Sequence, residues 1–135
     1  MLIEDNVEEE KLALKALKRA GISAKIQVAK DGDGALTFLR HQNRAVLPDL
    51  VFISSHLCRD GATDAIRQIR GHQITSRVPI IILSSSGHTL ETERCRKAGA
   101  DGFITRADEI DKYLDELGIA ALFWTTANVR DEELT

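Results

Sequence analysis

Residues 78–86 read Val78-Pro79-Ile80-Ile81-Ile82-Leu83-Ser84-Ser85-Ser86, an apolar run that stops abruptly at three hydroxyls. A strand with one wet face alternates apolar and polar residues. An unbroken run predicts a strand covered on both faces, the habit of parallel sheets. Pro79 stands near its start, where a strand tolerates proline. Leu50-Val51-Phe52-Ile53 has the same character, follows Pro48-Asp49 and stops at Ser54-Ser55. Gly102-Phe103-Ile104-Thr105 reads as a further strand. Ile26-Gln27-Val28, after a break at Gly21, is a weaker one, and Met1-Leu2-Ile3 is a very short first one.

Helical patterns fill the gaps. Asn6 followed by Glu9 is a capping-box pattern, and Glu8, Glu9 and Glu10 suit the positive end of a helix whose far end carries Lys18 and Arg19. Ala13, Leu14, Leu17 and Ala20 form an inward stripe, and Gly21 is the stop. Residues 32–41, after the Asp31-Gly32 turn, bring Ala35, Leu36 and Leu39 together, and residues 62–70 do the same with Ala62, Ala65, Ile66 and Ile69. Residues 90–98 are mostly charged, which predicts an exposed, thinly packed helix. Asp108 is the expected cap of a last helix with Ile110, Tyr113, Leu114 and Leu117 inward. Strand and helix alternate five times, which predicts an α/β fold with right-handed crossovers around a parallel sheet. A domain over residues 1–124 is expected, followed by a polar tail over 125–135 that is either disordered or a partner-binding arm, disorder being the favoured reading.

The composition fits one soluble core: 135 residues, 43% hydrophobic and 29% charged. The formal net charge of −3 gives no basic excess to hold nucleic acid or an anionic membrane. No apolar run approaches the roughly 20 residues of a membrane helix, and the acidic opening MLIEDNVEEE is unlike a secretory signal. A cytoplasmic domain with no fused DNA-binding output domain is expected. Cys58 and Cys95 match no zinc spacing and are too few for a disulfide scaffold, so reduced thiols are expected.

In an open parallel sheet the functional groups lie beyond the carboxyl ends of the strands. Those positions hold Glu4 and Asp5, then Ser54 and Ser55, then Ser84, Ser85 and Ser86, then Thr105 and Arg106. Two carboxylates, several hydroxyls and one guanidinium should meet on one rim. No glycine-rich phosphate loop or nucleophile–base pair is evident, and aromatic content is 4%, so a small-ligand binder or enzyme on such a sheet is the weaker alternative. His41, His56, His72 and His88 show no metal spacing and read as surface or loop residues, and Tyr113 and Trp124 as packing or interface residues.

Five stretches in this order, LIEDN, VAKDGDGALTFL, PDLVFIS with DG after it, VPIIILSSS and AGADGFITR, resemble the receiver domain of two-component response regulators, the CheY-like family. The longer loop before PDL and the Phe123-Trp124 pair are most similar to single-domain regulators that partner phytochrome-type histidine kinases. The resemblance implies a flavodoxin-like, doubly wound, five-stranded parallel sheet of order 2-1-3-4-5 with helices on both faces, a fold for which the family itself is a standard example. It also implies a phosphoryl transfer from a kinase histidine to an aspartate. The Mg²⁺-holding acidic pair corresponds to Glu4 and Asp5, the phosphoacceptor to Ser54, the phosphate-following hydroxyl to Ser84 and the lysine to Arg106. The switch aromatic corresponds to Phe103, and the residue whose backbone carbonyl completes the metal site to His56. Ala107 replaces the usual proline after the lysine, and Cys58 the usual loop proline.

Two of those departures bear on the chemistry. Ser54 is a neutral hydroxyl, a poor nucleophile without an adjacent base. With one carboxylate gone, Mg²⁺ at Glu4, Asp5 and the His56 carbonyl is expected to be weak or absent, and no other cofactor is expected. Arg106 is permanently charged and forked, so it is expected to pair with Asp5 or Glu4 and fill the space of metal and phosphate. The expectation is a stand-alone, non-enzymatic regulator that meets a sensor histidine kinase, of the bacteriophytochrome type, by contact, and that homodimerises. The alternative is a phosphorylatable receiver with another acceptor, such as Asp60; Asp49 stands at the wrong end of its strand.

Overall fold

The computed structural model describes the chain except for residues 23–25, 43–46, 60–61, 85–88, 107–108 and 135, together with the side chains of 58, 59, 62 and 126–134. Ser85, Ser86, Asp60, Ala107 and Asp108 therefore lie outside the described residues. Five strands, β1 (Leu2–Ile3), β2 (Val28–Ala29), β3 (Val51–Ser54), β4 (Ile80–Ser84) and β5 (Gly102–Thr105), form one parallel sheet in the order β2-β1-β3-β4-β5. The helices are α1 (Val7–Arg19), α2 (Gly32–Arg40), α3 (Ala62–Gly71), α4 (Leu90–Ala98) and α5 (Ile110–Leu134). A short 3-10 helix, Ser55–Arg59, leads out of β3. This is the flavodoxin-like arrangement the sequence implies.

The unbroken apolar runs are explained by a core on each side of the sheet. Val51, Ile53, Ile80 and Ile82 point to one core, with Leu36, Leu39, Ile66, Ile69 and Cys95. Leu50, Phe52, Ile81 and Leu83 point to the other, with Ala16, Leu17, Leu114 and Leu117. Successive strand residues face opposite sides, so both sets must be apolar. β1 needs only two residues because both are about 1% exposed and pair on both edges, Leu2 with Val28 and Phe52, Ile3 with Ala29 and Ile53.

The end of the sheet away from the carboxyl rim is fastened by Arg70. Its guanidinium donates to Gly99 O at 2.9 Å, Val78 O at 2.6 Å, Ser76 O at 3.2 Å and Asp101 Oδ2 at 2.6 Å. Asp101 Oδ2 also accepts from Ile80 N at 2.8 Å, so one carboxylate closes the entry to β4. Gly99 has φ of +130°, and a Cβ there would stand 2.7 Å from Arg70 Cγ, so glycine is required twice over.

Three expectations change. α4 is not thinly packed: Thr92, Cys95 and Ala98 are buried, and Thr89 forms a capping box with Thr92. Its charges lie on the other face. Phe103, at the switch-aromatic position, is 44% exposed on the edge strand β5. Cys95 is disulfide-bonded rather than a free thiol. It is buried on α4, which packs against the 3-10 helix, and Cys58 is the one other cysteine of the sequence. α5 runs through residue 134, past the boundary expected at 124. Thr125 Oγ1 bonds back to Ala121 O at 2.8 Å, satisfying its hydroxyl within the helix.

Candidate functional site

The carboxyl ends of β1, β3, β4 and β5 open into one cavity of ≈ 420 Å³. Glu4, Asp5, Glu9, Ser54, His56, Ser84, Arg106 and Tyr113 are among the residues that line it. Strand register explains the meeting. Ser54 pairs with Leu83, and Ser84 with Thr105, while the ladder continues past β5 as Arg106 N donates to Ser84 O at 2.8 Å. Glu4 N likewise donates to Ala29 O at 2.9 Å, so its side chain starts at the tip of β1.

The two acids differ in environment. Glu4 is buried, and its Oε2 accepts from the amides of Asp5 at 3.0 Å and Asn6 at 3.4 Å. Burial raises its carboxyl above the ordinary value, the two amide bonds opposing that in part. Asp5 is half exposed, and its hydrogen bond with His56 holds its carboxyl below the ordinary value. Tyr113 is buried under the cavity, and burial together with Glu9 and Glu4 pushes its phenol well up.

His56 contributes its ring, not only its backbone. Nδ1 lies 2.7 Å from Ser54 Oγ, and Nε2 lies 2.5 Å from Asp5 Oδ1. Ionised Asp5 only accepts, so Nε2 donates to it, and in the tautomer protonated at Nε2 alone the Nδ1 lone pair faces the Ser54 hydroxyl. Glu4 Oε2 is 3.8 Å from Nε2. Donor atoms of Glu4, Asp5 and His56 all fall within 4.8 Å of one another, the one such cluster among the described residues. Sequence reasoning assigned His56 only a backbone role at the metal site, otherwise read it as a loop histidine, and found no nucleophile–base pair; the structure brings its ring between Ser54 and Asp5. The available signal was Ser54-x-His56 directly after a strand.

Arg106 departs from its expected pairing. It forms an ion pair with Glu9 of α1 rather than with Asp5 or Glu4. Asp5 is already held by His56, and Glu4 by backbone amides, so the long guanidinium crosses to the first turn of α1. This has a local cost at the helix start. Asn6 Oδ1 accepts from Glu9 N at 3.0 Å, but the Glu9 carboxylate goes to Arg106 and Asn6 N goes to Glu4, leaving the capping box half made. With Glu9 included, the cavity holds three carboxylates and one guanidinium, formally −2.

Comparison with known proteins gives the same identity. A 31% identical relative over 106 residues is the two-component response regulator ORR41 of Oryza sativa subsp. japonica, covering 78% of this chain and 80% of its own. The response regulator Rcp1 of Synechocystis is 24% identical over 127 residues, 92% of this chain and 86% of its own. The crystal structure of the phosphorylated cyanobacterial phytochrome response regulator RcpA superposes with a TM-score of 0.77 at 21% identity, over 93% of this chain and 92% of that one. Among the described residues no helix is long and apolar enough to cross a membrane. The response regulator receiver domain model matches residues 1–117, and the chain belongs to that family of two-component signalling receivers.

Proposed function

We propose that this receiver signals by protein–protein contact and not through an acyl phosphate. The observation that carries the reading is Ser54, at the tip of β3, with its hydroxyl bonded to His56 where the family places a carboxylate. A serine cannot form the labile mixed anhydride. The donor set also suits Mg²⁺ poorly: that ion prefers oxygen ligands in near-octahedral geometry. Here one acid is engaged by amides, the other by an imidazole, and the imidazole is itself one of the three donors. Arg106, at the position of the family's lysine, is tied to α1. The site is thus held in one arrangement, with no phosphate to switch it.

The partner is a sensor histidine kinase, and the similarity to RcpA, a cyanobacterial phytochrome response regulator, favours one linked to a phytochrome. A second copy is the further partner: Leu90, Phe103, Ile110, Ile119, Leu122 and Phe123 are large, apolar and exposed on α4, β5 and α5. The test is incubation with acetyl phosphate and Mg²⁺, followed by intact mass measurement and a kinase-binding assay on the same sample. Kinase binding with no phosphate adduct is expected. An alkali-labile adduct on the wild-type chain, or binding that depends on it, overturns the reading.

A further inference from the structure

We propose that Ser54, His56 and Asp5 form a serine-nucleophile triad that takes the acyl group of a small neutral ester, because Ser54 Oγ lies 2.7 Å from His56 Nδ1 and His56 Nε2 lies 2.5 Å from Asp5 Oδ1 in the wall of one open cavity. This goes beyond the contact reading and does not depend on it. The three roles follow from the atoms. Ser54 is the nucleophile, His56 is the base within hydrogen-bond reach of its proton, and Asp5 is a positioning residue that fixes the ring's tautomer and plane. Presenting Nδ1 rather than Nε2 to the serine changes nothing chemically, since either nitrogen carries the lone pair when the other is protonated. The spacing Ser54-x-His56 at a strand end gives the pair a rigid base.

Charge selects the electrophile. Glu4, Asp5 and Glu9 outnumber Arg106 in the cavity, so a phosphorylated donor meets net repulsion, while an uncharged ester does not. The volume of ≈ 420 Å³ suits a small acyl group with its leaving alcohol. The step is balanced. Ser54 Oγ bonds to the ester carbonyl carbon as its proton passes to His56 Nδ1. The bond from carbon to the leaving oxygen then breaks, and the alcohol departs with that proton. A seryl ester remains, and water hydrolyses it by the same base to release the carboxylic acid.

The experiment uses the full chain with p-nitrophenyl acetate, following nitrophenolate release and mapping the acetyl group by mass spectrometry. Acetylation of Ser54 is expected in wild type, with none at that position in Ser54→Ala. His56→Ala should slow Ser54 labelling by about 100-fold or more, and added imidazole should restore part of it, which a purely structural histidine would not allow. Asp5→Asn should slow labelling while Asp5→Glu keeps more of it. Circular dichroism on each variant separates lost chemistry from lost fold. Acetyl groups confined to other residues, His56→Ala labelled at Ser54 as fast as wild type, or folded His56→Ala without imidazole rescue would each overturn the triad.

Discussion

Ser54→Asp tests the electrostatics of the rim directly. A carboxylate at the Ser54 Oγ position faces Asp5 across the imidazole, with 2.7 Å to Nδ1 on one side and 2.5 Å from Nε2 on the other. Adding the ring places the two charges roughly 7 Å apart, worth about 2 kcal/mol of repulsion at an effective dielectric of about 20. Glu4, 3.8 Å from the same Nε2, adds a similar increment, so the expected loss is about 2–4 kcal/mol. Part of Asp5 is in solvent, which favours the lower figure. The assay is urea unfolding at pH 9, above the ordinary imidazole range, in EDTA and then in Mg²⁺. In EDTA the variant should unfold well before wild type. Mg²⁺ should return most of the loss, since a ligand at about 100 times its Kd contributes about 2.7 kcal/mol, while the wild-type midpoint stays put. A variant as stable as wild type in EDTA would refute the charge argument. A wild-type midpoint raised as much by Mg²⁺ as the variant's would refute the poor metal fit.

Four further outcomes are expected. Glu4→Gln should raise stability at pH 8. The folded-state carboxyl titrates above its unfolded value, so its favourable contribution is present at acid pH and lost as pH rises through the folded value; the variant's advantage should therefore vanish below about pH 4 in a urea series. Arg70→Met should cost about 2–3 kcal/mol by leaving carbonyls of Gly99 and Val78 without their donor, read as a lower urea midpoint at unchanged slope. Gly118→Val should cost about 1–3 kcal/mol, because a Cβ there would stand 2.9 Å from Ala20 Cβ, where α5 crosses α1; thermal unfolding measures it. A reductant should lower stability by about 2–4 kcal/mol by opening the Cys95 disulfide, and alkylation before reduction should leave Cys95 unmodified.

The sheet was legible where burial left no choice. Runs such as Ile80–Leu83 are apolar at every position because each strand meets a core on both sides, and no other arrangement explains them. β2 was placed early, at 26–28 rather than Val28–Ala29, since an edge strand of two residues has little pattern to read. At the rim, Glu4, Asp5, Ser54, Ser84 and Arg106 were found by a positional rule: each ends or follows a strand. That rule fixes backbone positions and says nothing of side-chain reach. Glu9 therefore escaped notice, hidden in the first turn of α1 where three glutamates look alike. The His56 backbone was placed at the site, but the role of its ring escaped because the ring's partner, Asp5, lies 51 residues away.

The Arg106–Glu9 clasp reaches beyond the present pocket. It bridges the tip of β5 to the first turn of α1, so any anion brought to position 54 would compete with Glu9 for the same guanidinium. The clasp thus sets a threshold on the rim: Arg106 can answer a new charge there only by letting go of the helix.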